Sequence, residues 1–170
     1  LHGSRPAHRA EKSLDETASS NDVFSVRPVW IFECEDEIRQ APYYYNDMVY
    51  VGAYDRNLYA INANTGKMEW KAPTEGGIAS KPAVLENAIY FGSEDKKLYS
   101  LYLKDGSLKW AYSTDDAIRS SPRIYNKVIY IGSDDGRLHA VSAESGHALW
   151  KIEAAGPVRS SVLVDDDLLY

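Results

Sequence analysis

Three arginines, Arg39, Arg119 and Arg159, stand at one phase of a 40-residue period, with Ala79 in the fourth place. A guanidinium is a rigid fork of donors that pairs bidentately with a carboxylate, so three of them on one rim could hold an anionic group or an acidic peptide. The competing expectation is that each arginine is solvated and paired with a neighbouring acid. The acidic turns Glu94-Asp95, Asp134-Asp135-Gly136 and Asp165-Asp166-Asp167 are the next candidates. A calcium loop needs oxygen ligands at alternating positions, a Gly and a closing Glu, and no stretch supplies that series. Turn formation is the role expected of these acids. His139 shares a phase with Tyr59 and Tyr99 and is expected to pack beside them, while His147 falls in a turn and His2 and His8 lie near the start. No pair has the spacing of metal ligands. There is no G-x-S-x-G elbow, Gly-rich phosphate loop or H-E-x-x-H sequence, so neither catalysis nor a metal site is expected.

Composition narrows the class further. A chain of 170 residues, 44% hydrophobic and 26% charged, is of ordinary globular make-up. A net charge of −6 lacks the clustered Lys and Arg that neutralise phosphates, which argues against nucleic acid as a partner. No apolar run approaches the roughly 20 residues that span a bilayer. Cys34 is the only cysteine, so no intrachain disulfide can form and the compartment is not legible from cysteine usage.

The elements that must position the arginines repeat with a strict beat. Tryptophans stand at Trp30, Trp70, Trp110 and Trp150, and the same period carries Gly52, Gly92 and Gly132; Gly66, Gly106 and Gly146; and Tyr50, Tyr90, Tyr130 and Tyr170. A fixed period of this length signals a repeat architecture whose units bury their apolar faces against their neighbours. In the third repeat, short runs at Ser120 to Tyr125, Val128 to Ile131, Leu138 to Val141 and Ala148 to Ile152 are separated by Asn126-Lys127, Asp134-Asp135-Gly136 and Ser145-Gly146. Asn, Asp and Gly tolerate the positive φ of tight hairpins, so four antiparallel strands per repeat are predicted. Such units recurring radially make an all-β propeller. Residues 1–22 show neither strand nor helix periodicity and read as a flexible polar linker, with the repeats over 23–170.

The segment Ala60-Ile61-Asn62-Ala63-Asn64-Thr65-Gly66-Lys67-Met68-Glu69-Trp70 resembles the tryptophan-docking motif of the PQQ-like, or quinoprotein-like, β-propeller family, Ala-x-Asp/Asn-x-x-Thr-Gly-x-x-x-Trp, at every defined position. The third repeat keeps Ala140, Gly146 and Trp150 but has Ser142 and Ser145, and the second keeps only Gly106 and Trp110, departing at Ser100, Tyr102 and Asp105. The resemblance implies that each tryptophan packs against a neighbouring blade. It also implies that the first strands, beginning Ile38-Arg39, Ile78-Ala79, Ile118-Arg119 and Val158-Arg159, line a central channel.

Counted in blades, the chain has a closing piece at 28–34, full blades at about 38–73, 78–113 and 118–153, and a partial blade at 158–170. A partial propeller of about 3.5 blades is therefore expected, cut from one of seven or eight. Its open faces would find the remaining blades of its own chain or promote self-association. Dehydrogenases of the resembled fold hold PQQ and calcium with a vicinal Cys-Cys pair, which a chain with one cysteine cannot make, so neither cofactor is expected in this segment. The resemblance favours a non-catalytic scaffold, binding or sensor module for a protein or peptide partner, with a bacterial periplasm or cell-envelope setting. A dehydrogenase fragment and a purely architectural segment are the alternatives.

Overall fold

A computed structural model describes residues 27–165 and 168–170. The first blade is β1 (Tyr43–Tyr45), β2 (Met48–Gly52), β3 (Asn57–Asn62) and β4 (Met68–Pro73). The second is β5 (Ala83–Leu85), β6 (Ala88–Gly92), β7 (Lys97–Tyr102) and β8 (Leu108–Ser113). The third is β9 (Arg123–Tyr125), β10 (Val128–Gly132), β11 (Arg137–Ser142) and β12 (Ala148–Glu153). A two-stranded start of another follows, β13 (Val164–Asp165) and β14 (Leu168–Leu169). Each four-stranded sheet is an antiparallel meander in chain order. The all-β, partial-propeller architecture read from the period is the one observed. The expected linker, residues 1–22, lies outside the described residues, as do Asp166 and Asp167.

Turn chemistry explains the local folding. The hairpins β1–β2 and β9–β10 turn through Asn46-Asp47 and Asn126-Lys127, all four with φ between 48° and 61°. That is the left-handed pair whose twist matches the flanking strands. In each outer strand the register shifts beside the tryptophan, so that Ala60 faces Trp70 while Ile61 faces Met68, with the same irregularity in the other two blades. This bulge leaves one extra residue, Glu69, Lys109 or Leu149, and re-aims the indole that follows.

The blades stack face to face, and the core lies between them rather than within any one. Tyr50, Leu58 and Ala60 of the first blade meet Ile89, Phe91 and Leu101 of the second. Tyr90 and Leu98 meet Ile129, Ile131 and Val141 of the third in the same way. The indole of Trp70 lies against Gly106 and donates to the Leu103 carbonyl at 3.0 Å, while Trp110 lies against Gly146 and donates to Ala143 at 3.2 Å. Gly106 and Gly146 have φ of 70° and 73°, and a Cβ at either would sit 2.6 Å from the indole, so both conformation and contact demand glycine.

Two expectations are corrected. The piece at 28–34, expected to close a preceding blade, pairs with no ladder among the described residues. Instead Trp30, Phe32 and Cys34 form a strap packed on Val51, Tyr59 and Ile61, and Trp30 docks on Gly66 and the Ala63 carbonyl at 2.7 Å. The channel-side segments starting at Ile38, Ile78 and Ile118 are likewise not strands, because pairing begins only after Pro42, Pro82 and Pro122. Proline has no N–H to give a ladder. The hydroxyls of Ser80 and Ser120 take over, each accepting from and donating to the backbone of Gly92 or Gly132 at 2.8 to 2.9 Å.

Candidate functional site

The arginines occupy one continuous strip across the blades, and the strip includes acids that the period alone did not couple to them. Tyr54, Glu94 and Asp134 share a phase in the turns between second and third strands, and each faces the arginine phase. Arg39 stacks over the Tyr54 ring at 4.2 Å and bonds Glu37 at 2.7 Å. The Tyr54 hydroxyl donates to Glu94 at 3.2 Å, and Glu94 accepts from Arg119 Nε at 2.8 Å. Arg119 also pairs with Asp134, which accepts from Arg159 Nε at 2.7 Å. Ala79, buried, leaves the gap that Tyr54 bridges. The side chains of Arg39 and Arg159 are 56% and 62% exposed, whereas Arg119 is clamped between two acids. Glu37 holds the Arg39 guanidinium above its ordinary pKa.

A second repeated constellation carries stability rather than binding. Asp55, Asp95 and Asp135 each accept the N–H two residues on, and each accepts a backbone N–H from 20 residues earlier, those of Glu35, Glu75 and Asp115. Each turn is thereby tied to the connection that enters its blade. Tyr59 and Tyr99 donate to Asp55 and Asp95 at 2.6 and 2.7 Å, and burial first, then these carboxylates, push both phenols well above the usual tyrosine value. In the third blade His139 replaces tyrosine: its Nε2 meets Asp135 at 3.1 Å and its Nδ1 meets the Tyr112 hydroxyl at 2.9 Å. A carboxylate only accepts, so a proton on Nε2 faces Asp135, while Nδ1 is hydrogen-bonded to the phenol of Tyr112. Burial pushes the Asp135 carboxyl up, but the Asp115 N–H, His139 and the Arg137 N–H outweigh it, and its pKa lies below the ordinary value. The packing expected of Tyr59, Tyr99 and His139 is observed. The inter-blade role of the aspartates was missed, although their 40-residue spacing was visible.

The side on which the first strand of each blade lies carries Gln40, Tyr43, Lys81, Ser121, Arg123 and Ser161 along a 500 Å³ groove. Hydroxyls join the blades there: Ser121 accepts the Lys81 N–H at 2.9 Å, and Ser161 accepts the Ser121 N–H at 3.3 Å. This lining offers no carboxylate to a calcium ion, and no group of three His, Cys, Asp or Glu side chains among the described residues could hold a metal. The donor set does not fit a quinone–calcium pair. No described helix is long and apolar enough to cross a membrane.

The docking residues divide by neighbour. Trp30, Trp70 and Trp110 each reach a turn of the next blade, while Trp150 is 38% exposed and its indole N–H has no acceptor among the described residues.

The family model described as outer membrane protein assembly factor BamB matches residues 20–125 and again 116–170. No curated protein sequence matches the chain. Among solved structures, BamB from Moraxella catarrhalis is similar at 20% identity with a TM-score of 0.72, covering 82% of this chain and 44% of that one. The computationally designed Ika4 protein gives a TM-score of 0.72 at 16% identity, over 81% of this chain and 85% of its own. A quinohemoprotein alcohol dehydrogenase from Comamonas testosteroni gives 0.63 at 20% identity, over 69% and 21%. At these identities the structural likeness shows the fold. The chain spans less than half the length of the Moraxella protein.

Proposed function

Since the chain belongs to the family described as outer membrane protein assembly factor BamB, we propose that it is a non-catalytic propeller segment that holds a protein partner in the bacterial cell envelope. The supporting observation is the strip from Arg39 to Arg159. Its centre is internally neutralised and rigid, and the guanidiniums at its two ends, paired with Glu37 and Asp134, keep more than half of their side chains exposed. An acidic stretch of a partner would engage Arg39 and Arg159 and leave the Arg119 clamp intact. Rim charges of this kind set association rate and orientation more than total affinity.

The test is binding of an acidic peptide to the full chain, followed by fluorescence anisotropy across a salt series. Arg39→Glu with Arg159→Glu is expected to weaken binding about tenfold or more. Equal binding by the double variant would remove the rim from the reading.

The open face of the third blade supports a second contact. Leu149, Trp150 and Ile152 are exposed there, and a second copy would cover them. Sedimentation of the full chain is expected to show association that Trp150→Ser abolishes. A monomer throughout would discard it.

A further inference from the structure

The two inter-blade grooves on the face of the β1–β2 and β3–β4 turns are built at the same phase, yet they differ in a way the repeat does not require. Between the second and third blades the groove is closed over. Glu86 and Lys127 pair across its mouth at 3.8 Å, and the Tyr90 hydroxyl donates to the Ala143 carbonyl at 3.1 Å, leaving 350 Å³. Between the first and second blades the equivalent positions are Asn46 and Asn87, two uncharged amides, and the cleft opens to 720 Å³.

The buried phenol at the base of that cleft is Tyr50, the counterpart of Tyr90. As a residue it is 2% exposed, yet its hydroxyl makes no hydrogen bond to any described residue: the Leu103 carbonyl accepts only from Trp70, whereas its counterpart at Ala143 accepts from both Trp110 and Tyr90. The hydroxyl is not sealed off, since Ser100 Oγ is the one enclosed side-chain oxygen or nitrogen without a partner among the described residues, so the phenol faces the cleft as a free donor and acceptor. Above it stands Tyr102, 39% exposed, at the position where the docking motif calls for Asp or Asn and the third blade has Ser142. The departure of the second repeat from its motif therefore places an aromatic face on the wall of the larger cleft. Asp105, a further departure, is occupied by the Ser107 hydroxyl at 2.6 Å and N–H at 3.0 Å.

We propose that this cleft is a binding site for a neutral saccharide of one or two pyranose rings. Tyr102 and Tyr45 supply apolar faces for the C–H side of a sugar ring. The amides of Asn46 and Asn87, which bond no other described side chain, can each donate and accept, as paired ring hydroxyls require. The Tyr50 hydroxyl completes the set from below. The lining also holds Glu86, Lys104 and Asp105, charges of both signs with Glu86 paired to Lys127 and Asp105 to Ser107, so neither a cationic nor an anionic ligand is singled out, and the volume falls in the range typical of small-molecule sites. The site lies away from the arginine strip and does not depend on the partner reading.

Titration of the full chain with maltose and with cellobiose, followed by amide chemical shifts, tests it. One of the two sugars is expected to give saturable shifts clustered at Asn46, Asn87 and Tyr102. Tyr102→Ser, which installs the third blade's residue, should weaken binding about tenfold. Tyr50→Phe should also weaken binding while leaving the melting temperature unchanged, because its hydroxyl holds nothing in the free protein. Absence of saturable shifts with both sugars, undiminished binding by Tyr102→Ser, or saturation of the same amides by a hydrophobic peptide alone would overturn the assignment.

Discussion

Trp110 and Trp150 are the same residue at the same phase, each tilted against its own blade's tyrosine at 5.7 Å, and they differ only in what lies beyond. Trp110 has Gly146, the Ala143 carbonyl and a blade to cover it. Trp150 has solvent over more than a third of its surface. The outer strand shows the same contrast: β12 is exposed along its whole length, while Ala72 of β4 is buried. A docking motif is therefore half of an interaction. Its stabilisation comes from apolar area removed from water, and the area removed is set by the neighbour.

The largest effect that would test this contrast is truncation. Trp110→Ala should cost about 3–5 kcal/mol in urea denaturation, from lost burial and the cavity left between blades. Trp150→Ala should cost about 1 kcal/mol or less. Equal losses would mean that the outer face is covered in solution.

Next comes the receiving turn. Gly106→Ala should destabilise by roughly 2–3 kcal/mol, combining left-handed strain with displacement of the Trp70 indole. Gly136→Ala, with φ of 77° but no atom nearer than 3.6 Å to the added Cβ, should show the strain alone, about 1 kcal/mol. A comparable loss at both sites would deny the indole contact its role.

The aspartate ties add a pH signature. The folded-state pKa of Asp135 is depressed, so its contribution is present above the unfolded value of about 4 and is lost as pH falls through the folded one. Tyr59 and Tyr99 are raised, so theirs is complete below about pH 10 and is lost as pH rises beyond it. Melting temperature against pH should fall at both ends, and Asp135→Asn should flatten the acid limb. An unaltered acid limb in that variant would rule Asp135 out as its source.

The smallest effect belongs to the second repeat. Ser100 is fully buried with no partner for its hydroxyl among the described residues, where the other blades have Ala60 and Ala140. Ser100→Ala should stabilise by about 1 kcal/mol. A loss instead would show that the hydroxyl is satisfied.

The strand plan was legible because turn residues punctuate it. Asn126-Lys127 and Ser145-Gly146 bracket β10 and β11 to within a residue. The inner segments were misread as strands because Ile118-Arg119-Ser120-Ser121 alternates like one, and only the proline that follows hinted that its hydrogen bonds go elsewhere. The arginine phase could be seen in the chain. Its interleaving with Tyr54, Glu94 and Asp134 could not, because Tyr54 and Asp134 follow Arg39 and Arg119 while Glu94 and Asp134 precede Arg119 and Arg159, at intervals set by the stacking of blades.

The amino-acid sequence by itself determined the period, the four-stranded unit and the tryptophan-to-glycine pairing, because these rest on local turn geometry and on side-chain volume repeated every 40 residues. Tertiary structure decided which copies of each residue are satisfied: Tyr90 but not Tyr50, Trp110 but not Trp150, Arg119 more fully than Arg39. The physical reason is that blades stabilise one another across their faces, so identical residues acquire different environments from the neighbours that the stacking brings to them.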